Sequence, residues 1–344
     1  MNFQLVNPPI YDFAAYDLWA KPLGLLYLSA ILKESGHKTF ILDCMDRKSC
    51  GMPETRSDQW GCGSYHSVGA KKPDVLAEIP RKYKRYGMPV LLMREMLADV
   101  KGPAAIFVSP GMSCWYPGVL EAVKLLKDIF NDVPSILGGN YATLCFEHAS
   151  TISGADYALN GGLTGFLQPL GVRIERLKLL FSDYPAPDYE PYGCLEYAVL
   201  RTSEGCRYRC DYCAAGARPG KGWVSKSPEK VVAELEGLAK KGIKNVAFYD
   251  DGLLFEAEQH IIPVLKEVIT RRPQLNFHTP DGLHARFLSE EVAELLYKAG
   301  LVMPRISIET VSEERHKETG GKVSTREYLS AVNNLVNSGY RTGQ

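Results

Sequence analysis

The sequence predicts an α/β protein in two parts, an N-terminal doubly wound parallel sheet and a C-terminal series of four βα units. Three observations predict it. Short β-branched and aromatic runs alternate with helix-period segments twice along the chain, the pattern of parallel strands joined by crossover helices. The 344 residues exceed the size at which one hydrophobic core stops growing, about 250–300 residues. The rhythm also breaks at a Pro- and Tyr-rich stretch, SDYPAPDYEPYG, and restarts after it.

Phe3–Val6 is the first strand, stopped by Asn7-Pro8-Pro9. Leu23–Lys33 has helical spacing, with Pro22 near its first turn and Gly36 past its end. Lys38–Leu42 is the second strand and Ala104–Ser109 the third. Val119–Phe130 is a helix with apolar residues at 119, 123, 126 and 130. Ser135–Leu137 is the fourth strand, before Gly138-Gly139; Ala142–Ser150 reads as a helix and Asp156–Leu159 as the fifth strand. Together these make a Rossmann-like domain over residues 1–165. Residues 47–100 interrupt it with Gly, Pro, Cys and aromatics and a helix around Pro89–Val100. That insertion is too long for an ordinary connection and is expected to cover or bind something. Residues 166–194 read as a linker on an extended surface path.

Residues 195–344 hold four βα units. Tyr197–Thr202 is the first strand, followed by a Cys-rich loop; Ser227-Pro228 caps a helix running to Lys241. Asn245–Tyr249 is the second strand, with a helix near Glu258–Arg271; Leu275–His278 is the third. Ser289 caps a helix that ends at Ala299 before Gly300, and Ile306–Ile308 lies in the fourth strand. Ser324-x-x-Glu327 is a capping box opening a helix that ends before Gly339.

Composition narrows the function. Lys+Arg and Asp+Glu both number 40, which argues against a protein whose main work is gripping nucleic acid or anionic membrane. No segment approaches ~18 uninterrupted apolar residues, and MNFQLVNPPIYD lacks a basic-then-apolar signal pattern. A cytoplasmic protein is expected. Nine cysteines are too many for such a chain to carry without purpose, and a disulfide framework belongs to short secreted chains.

Cys206, Cys210 and Cys213 have the spacing C-x3-C-x2-C on a loop straight after a strand. Three thiolates there can converge on one centre, and thiolates favour iron–sulfur clusters, zinc and copper(I). A cubane cluster has four irons, so three ligands leave one iron open. Structural zinc wants a closed set of four, and no second C-x2-C pair follows.

The C-x3-C-x-aromatic-C motif after the first strand of a βα series resembles that of the radical S-adenosylmethionine enzymes. In that family the three cysteines hold a 4Fe–4S cluster whose fourth iron is chelated by S-adenosylmethionine; one electron cleaves the sulfonium and releases a deoxyadenosyl radical. The resemblance implies that Cys206, Cys210 and Cys213 are the ligands and that the backbone of Tyr212 meets the adenine. Asp250 and Asp251 end the second strand where the family, most often with Gly-Gly-Glu, contacts the methionine amino group. Ser307 and Glu309 alternate along the fourth strand, where the family places polar groups against ribose and amino acid. His278, Thr279, His284 and Arg286 surround the end of the third strand, within reach of substrate or cofactor. No catalytic residue is assigned.

The N-terminal half, with its NPP near the start, PLGLLYLSAILKESGH, LGGNYATLCFEHA and the GCGSYH…PRKYKRYG insertion, looks like the cobalamin-binding domains that precede some radical S-adenosylmethionine proteins. Ser109, Gly111, Gly138, Gly139 and Gly161 each follow a strand, where ligands of open α/β folds bind. The Asp-x-His-x-x-Gly motif of the histidine-ligated cobalamin proteins is absent, since Asp46-Arg47-Lys48 has no such His. Any cobalamin would lack a lower histidine ligand.

Arg81–Tyr86 is a basic run with interleaved tyrosines, read either as a single-strand nucleic-acid site or as a helix end or anion contact. Cys44, Cys50 and Cys62 read as scattered thiols rather than a second cluster. The expected function is radical S-adenosylmethionine chemistry, hydrogen abstraction or methyl transfer, on an organic substrate. An electron donor such as flavodoxin or ferredoxin is implied, with no membrane or nucleic-acid partner. The alternatives are a truncated, non-catalytic cluster-binding protein and a zinc-binding scaffold. Against the family's partial barrel of six strands, the four βα units read as an incomplete barrel truncated at its C-terminus: a shortened chain, a truncated reading frame or a barrel completed by another chain.

Overall fold

The computed structural model describes residues 1–160, 180–217 and 222–341. It divides into two compact units, Met1–Lys178 with Tyr184–Leu195, and Leu179–Asp183 with Glu196–Gln344.

The first unit runs β1 (Asn2–Asn7), β2 (Ile10–Asp12), β3 (Tyr16–Asp17), α1 (Leu23–Glu34), β4 (Lys38–Asp43), β5 (Gly63–Ser64), β6 (Ser67–Gly69) and β7 (Lys84–Tyr86). It continues through α2 (Val90–Ala98), β8 (Ala105–Val108), α3 (Tyr116–Ile129), β9 (Ser135–Leu137), α4 (Gly139–Leu144), α5 (Phe146–Ile152) and β10 (Tyr157–Ala158). Five strands form a parallel sheet in the order β10-β9-β8-β1-β4. The winding reverses between β1 and β8, which makes the sheet doubly wound, as the sequence predicts. β8 is buried along its length and β1 from Phe3 onward, as central strands covered on both faces must be. Val6, Ile106 and Val108 pack with Met93, Leu97, Val119, Val123 and Leu126 from α2 and α3.

Three expectations change in this unit. The helix expected over Ala142–Ser150 is two short helices, because Cys145 leaves helical dihedrals (φ −128°, ψ 48°). Across that break the Tyr141 hydroxyl meets His148 Nδ1 at 2.7 Å. The linker expected over 166–194 falls in part outside the described residues, and its described end packs inward rather than running over the surface. Tyr189 and Asp188 are buried; Asp188 accepts from Ser29 at 2.5 Å and pairs with Lys33 at 2.8 Å, and Tyr192 donates to Asp43 at 2.7 Å.

The insertion, read above as irregular before its helix, supplies β5, β6 and β7, which join the earlier β2 and β3 in a three-stranded antiparallel sheet, β2-β7-β6, and a β3–β5 pair. Its centre is the buried guanidinium of Arg47. Nε donates to Asp17 at 2.8 Å, Nη2 to the Gly61 carbonyl at 2.6 Å, and Nη1 to Ser57 at 3.1 Å and Thr55 at 3.3 Å. Gly63 has no room for a side chain: a Cβ there would stand 2.6 Å from Arg47 Nη1. The Arg81–Tyr86 run is not a stacking surface, since Tyr83 and Tyr86 are buried and Arg85 pairs with Glu121 at 2.6 Å.

The second unit runs β11 (Ala198–Leu200), β12 (Ser203–Glu204), β13 (Val224–Ser225), α6 (Pro228–Lys240), β14 (Asn245–Phe248) and α7 (Ile261–Arg271). It ends with β15 (Asn276–His278), α8 (Glu290–Ala299), β16 (Leu301–Met303), α9 (Glu313–Glu318) and α10 (Thr325–Asn337). Its sheet is parallel, in the order β11-β14-β15-β16. Ser227, Ser289 and Ser324 cap their helices as predicted, Ser324 through a full capping box with Glu327.

The fourth strand is Leu301–Met303, not Ile306–Ile308. Gly300, at φ 98°, ends α8 and turns the chain directly into the sheet, and Pro304, which lacks a ladder donor, stops it. Ile306 makes only an isolated bridge to Leu283, so Ser307 and Glu309 lie beyond the strand. Among the described residues no helix is long and apolar enough to cross a membrane.

Removing one partner of a buried ion pair typically costs about 3–5 kcal/mol. Arg47→Met should therefore lower the stability of the first unit by that amount in thermal or denaturant unfolding. Arg47→Lys should recover little of it, because one ammonium cannot reach all of the acceptors. A loss below about 1 kcal/mol in Arg47→Met would contradict this role.

Candidate metal and cofactor site

The site is built outward from Asp250, the first residue past the end of β14 to turn inward. It is buried, and its carboxylate accepts from Thr202 N at 3.0 Å, Thr202 Oγ1 at 2.8 Å, Ser203 Oγ at 2.6 Å and Ser203 N. These bonds fix the corner between β11 and β12, the last structure before the cysteine loop. They also correct an expectation. Asp250 is committed to the chain itself, while Asp251 is partly exposed.

The neck of the loop closes where β12 pairs antiparallel with β13. Gly205, at φ 92°, lies so close to the Gly222 carbonyl that any side chain would collide with it. The loop and its exit return to the segment after β14: Arg207 pairs with Glu256, and Trp223 Nε1 donates to the Gly252 carbonyl at 3.1 Å. Cys210 is buried, Cys206 is partly buried and Cys213 is exposed. Burial raises the Cys206 thiol; a backbone hydrogen bond at Tyr208 opposes this, and Asp251, Cys213 and Cys210 add to it. Among the described residues no three His, Cys, Asp or Glu side chains converge on one point. The loop therefore presents the three thiols without gathering them.

The opposite wall of the loop was not foreseen. After α9 the chain turns through Gly320 and Gly321, at φ 100° and 61°. A Cβ on Gly320 would stand 3.2 Å from Cys210 Cα and 3.4 Å from the Arg209 carbonyl, so only glycine lets this turn back the loop. The Thr-Gly-Gly-Lys sequence at 319–322 was the available signal. Lys322 pairs with Glu309 at 3.2 Å. Tyr212 is half exposed, and burial, then hydrogen bonds to Cys210 and Glu309, push its phenol far above the ordinary value. Tyr212 and Glu309 therefore meet, while Ser307 is exposed two residues away. His278 faces Asn245 at 3.3 Å, and Thr279 is buried with its hydroxyl unpartnered.

At the carboxyl edge of the first unit's sheet, Ser109, Gly111 and Gly139 come together. A Cβ on Gly139 would collide with Ser109 Oγ, one on Gly111 would stand 3.0 Å from Trp115, and Asn140 donates to the Gly111 carbonyl at 2.9 Å. These glycines thus serve the chain's own packing. At Gly138 a Cβ would have only Leu159 nearby, at 3.9 Å, while Gly161 lies outside the described residues.

The donor set of the second unit, three thiols on one loop at the carboxyl end of a parallel sheet, fits an iron–sulfur cluster. Among the described residues, Gly111 and Gly139 at the first unit's sheet edge serve packing and do not by themselves mark a corrin site. In comparison with known proteins, residues 200–343 match the Radical SAM superfamily. Those residues are similar to radical SAM domains. Such a domain is an enzyme domain, and the family implies a 4Fe–4S cluster and S-adenosylmethionine.

The relatives include an uncharacterised methyltransferase of Pyrococcus horikoshii, 25% identical over 184 residues, covering 53% of this chain and 39% of that protein. A hopanoid C-2 methylase of Rhodopseudomonas palustris is 23% identical over 224 residues, covering 60% of this chain and 42% of the methylase. The radical S-adenosylmethionine methyltransferase TsrM of Kitasatospora setae, solved with tryptophan and a SAM analogue, shares the fold. Its TM-score is 0.69 at 17% identity, covering 98% of this chain and 66% of TsrM. The chain thus spans about two fifths of the length of these curated relatives.

His284 gives the site a pH signature. Burial, then the nearby Lys322 and Arg286 charges, push its imidazole from 6.5 down to about 4, against an upward pull from Glu309. A histidine neutral in the fold but protonated at 6.5 when unfolded withdraws stability as pH falls from 6.5 towards 4, and not above that window. At about 1.4 kcal/mol per pKa unit the loss approaches ~3 kcal/mol. The melting temperature should fall across that window, and His284→Gln should flatten the fall; an unchanged slope in the variant would contradict the assignment.

Proposed function

We propose that the chain acts as a radical S-adenosylmethionine enzyme, or a part of one, that transfers a methyl group to an organic substrate or abstracts hydrogen from it. One observation carries the reading: Cys206, Cys210 and Cys213 occupy a single loop, pinned by Asp250 at the carboxyl end of a parallel sheet, inside the matched domain. When bound, the cluster supplies the single electron that cleaves the sulfonium of S-adenosylmethionine.

The residues of the chain do the rest by holding and excluding. The thiolates of Cys206, Cys210 and Cys213 would hold the cluster. Asp251, close enough to raise the Cys206 thiol, is the acceptor for the methionine ammonium. Tyr212, tied to Glu309, lines the adenine side, and Ser307 and Glu309 offer polar contacts for ribose and amino acid. The cage of Tyr208, Phe255, His284 and Phe287 keeps water from the inner face of the loop. An electron donor such as flavodoxin or ferredoxin would be the partner.

Methyl transfer is favoured over other outcomes by the methyltransferases among the relatives. Cobalamin enters through TsrM, also solved with cobalamin and a [4Fe-4S] cluster, rather than through any donor in the first unit. It would bind without a histidine beneath it, since Lys48 stands where the Asp-x-His motif would place one.

Anaerobic reconstitution should give a brown protein with ~4 Fe and matching sulfide per chain. Under reductant it should form 5′-deoxyadenosine or transfer a labelled methyl group, with and without added cobalamin separating the two chemistries. Cys210→Ala should abolish the colour and the cleavage. One equivalent of zinc without iron uptake would sink the reading, and a cluster without cleavage would leave only the non-catalytic alternative.

A further inference from the structure

Tyr208 lies midway between Cys206 and Cys210, so the path of its phenol sets the path of the cysteine loop. Its ring stacks on His284 at 4.9 Å and 19° and is tilted against Phe255 at 6.0 Å. Its hydroxyl accepts from Arg286 Nη1 at 2.7 Å. The same guanidinium reaches two further segments. Nε donates to Glu327 Oε1 at 2.7 Å, while Nη2 donates to the Gly321 carbonyl at 2.9 Å and to Glu327 Oε2 at 3.3 Å. Glu327 is itself fixed at the start of α10, where its carboxylate accepts from Ser324 N at 2.7 Å and Ser324 Oγ at 2.8 Å.

We infer that Arg286 is a positioning residue for the cluster-binding loop, tying Tyr208 on one side of Cys210 and the Gly320–Gly321 turn on the other to the capped end of α10. The inference rests on the reading of Cys206, Cys210 and Cys213 as cluster ligands. An ion pair serving stability alone needs only Glu327. Here one planar fork spans a phenol, a backbone carbonyl and a carboxylate, a set that a lysine ammonium cannot reproduce. The turn that Arg286 holds is the one whose Gly320 packs against Cys210. Loss of the fork therefore frees the loop on both sides of a buried ligand, and the hydrogen bonding and exposure of the cluster sulfurs change with it. Those are the quantities that set a cluster's potential.

The test uses the full chain, reconstituted anaerobically, as wild type, Arg286→Lys, Arg286→Gln, Tyr208→Phe and a control, Arg271→Gln, in an exposed ion pair. Iron per chain, the EPR signal of the reduced cluster, its midpoint potential and the melting temperature are measured on each. Both Arg286 variants should take up iron but show an altered EPR line shape and a midpoint potential outside the spread of replicate wild-type titrations. Tyr208→Phe, which loses one hydroxyl and keeps the ring stack, should shift the same way by less, and the control should match wild type. Wild-type spectra and potential in the Arg286 variants, even with a lower melting temperature, would overturn the inference, as would full rescue by lysine. Should Arg286→Gln fail to fold, an unshifted Tyr208→Phe overturns it alone. Failure of the wild type to take up iron instead defeats the underlying reading, and this inference with it.

Discussion

A buried carboxylate is costly unless donors surround it, and Asp250 is buried. The chain meets that demand with two consecutive residues, Thr202 and Ser203, each giving a backbone N–H and a hydroxyl. Much of the second unit depends on this knot. It joins the ends of β11 and β14, neighbours in the sheet but far apart in sequence, and fixes the corner from which β12 leaves. The β12–β13 pair can then close the neck of the cysteine loop, with Gly205 against Gly222. A long loop carrying three thiols costs entropy to hold in one place. Here its ends are pinned by the knot and the hairpin, and its middle by Arg207, Tyr208 and the glycine turn at 320–321.

The two units solve a similar problem with opposite charges. In the first, the guanidinium of Arg47 is buried and gathers Asp17, Gly61, Thr55 and Ser57 around itself. A segment that reads as a long irregular insertion thereby acquires a fixed centre. The acidic and aromatic end of the connector behaves likewise: Asp188 is buried and Tyr192 half-buried because Ser29, Lys33 and Asp43 are placed to receive them. Its prolines describe an extended backbone correctly and say nothing about where that backbone lies.

Local signals in the sequence were read well, and long-range ones were not. The serine caps of α6, α8 and α10, the strand–helix alternation, the doubly wound order and the cysteine spacing are encoded within a few residues and were legible. Asp250 was misjudged because its partners lie 48 and 47 residues away, and an Asp pair at a strand end looks alike whether it faces a ligand or the chain. The fourth strand was placed late because Ile306–Ile308 has the better β pattern, while Gly300 and Pro304 determine where pairing can occur. The first unit's glycines fell at strand ends as expected, yet Gly139 and Gly111 are explained by Ser109 and Trp115 rather than by a ligand. Gly320 was overlooked because its purpose is contact with Cys210, 110 positions earlier in the chain.

The central claim is that the loop supplies three thiolates and no fourth ligand, so that one iron of the cluster stays open for S-adenosylmethionine. Mössbauer spectroscopy of the ⁵⁷Fe-reconstituted chain, with and without S-adenosylmethionine, addresses it directly. The account predicts that adding S-adenosylmethionine makes one iron in four distinct, with a raised isomer shift, while the other three stay unchanged. Four irons that remain equivalent and indifferent to S-adenosylmethionine would contradict it.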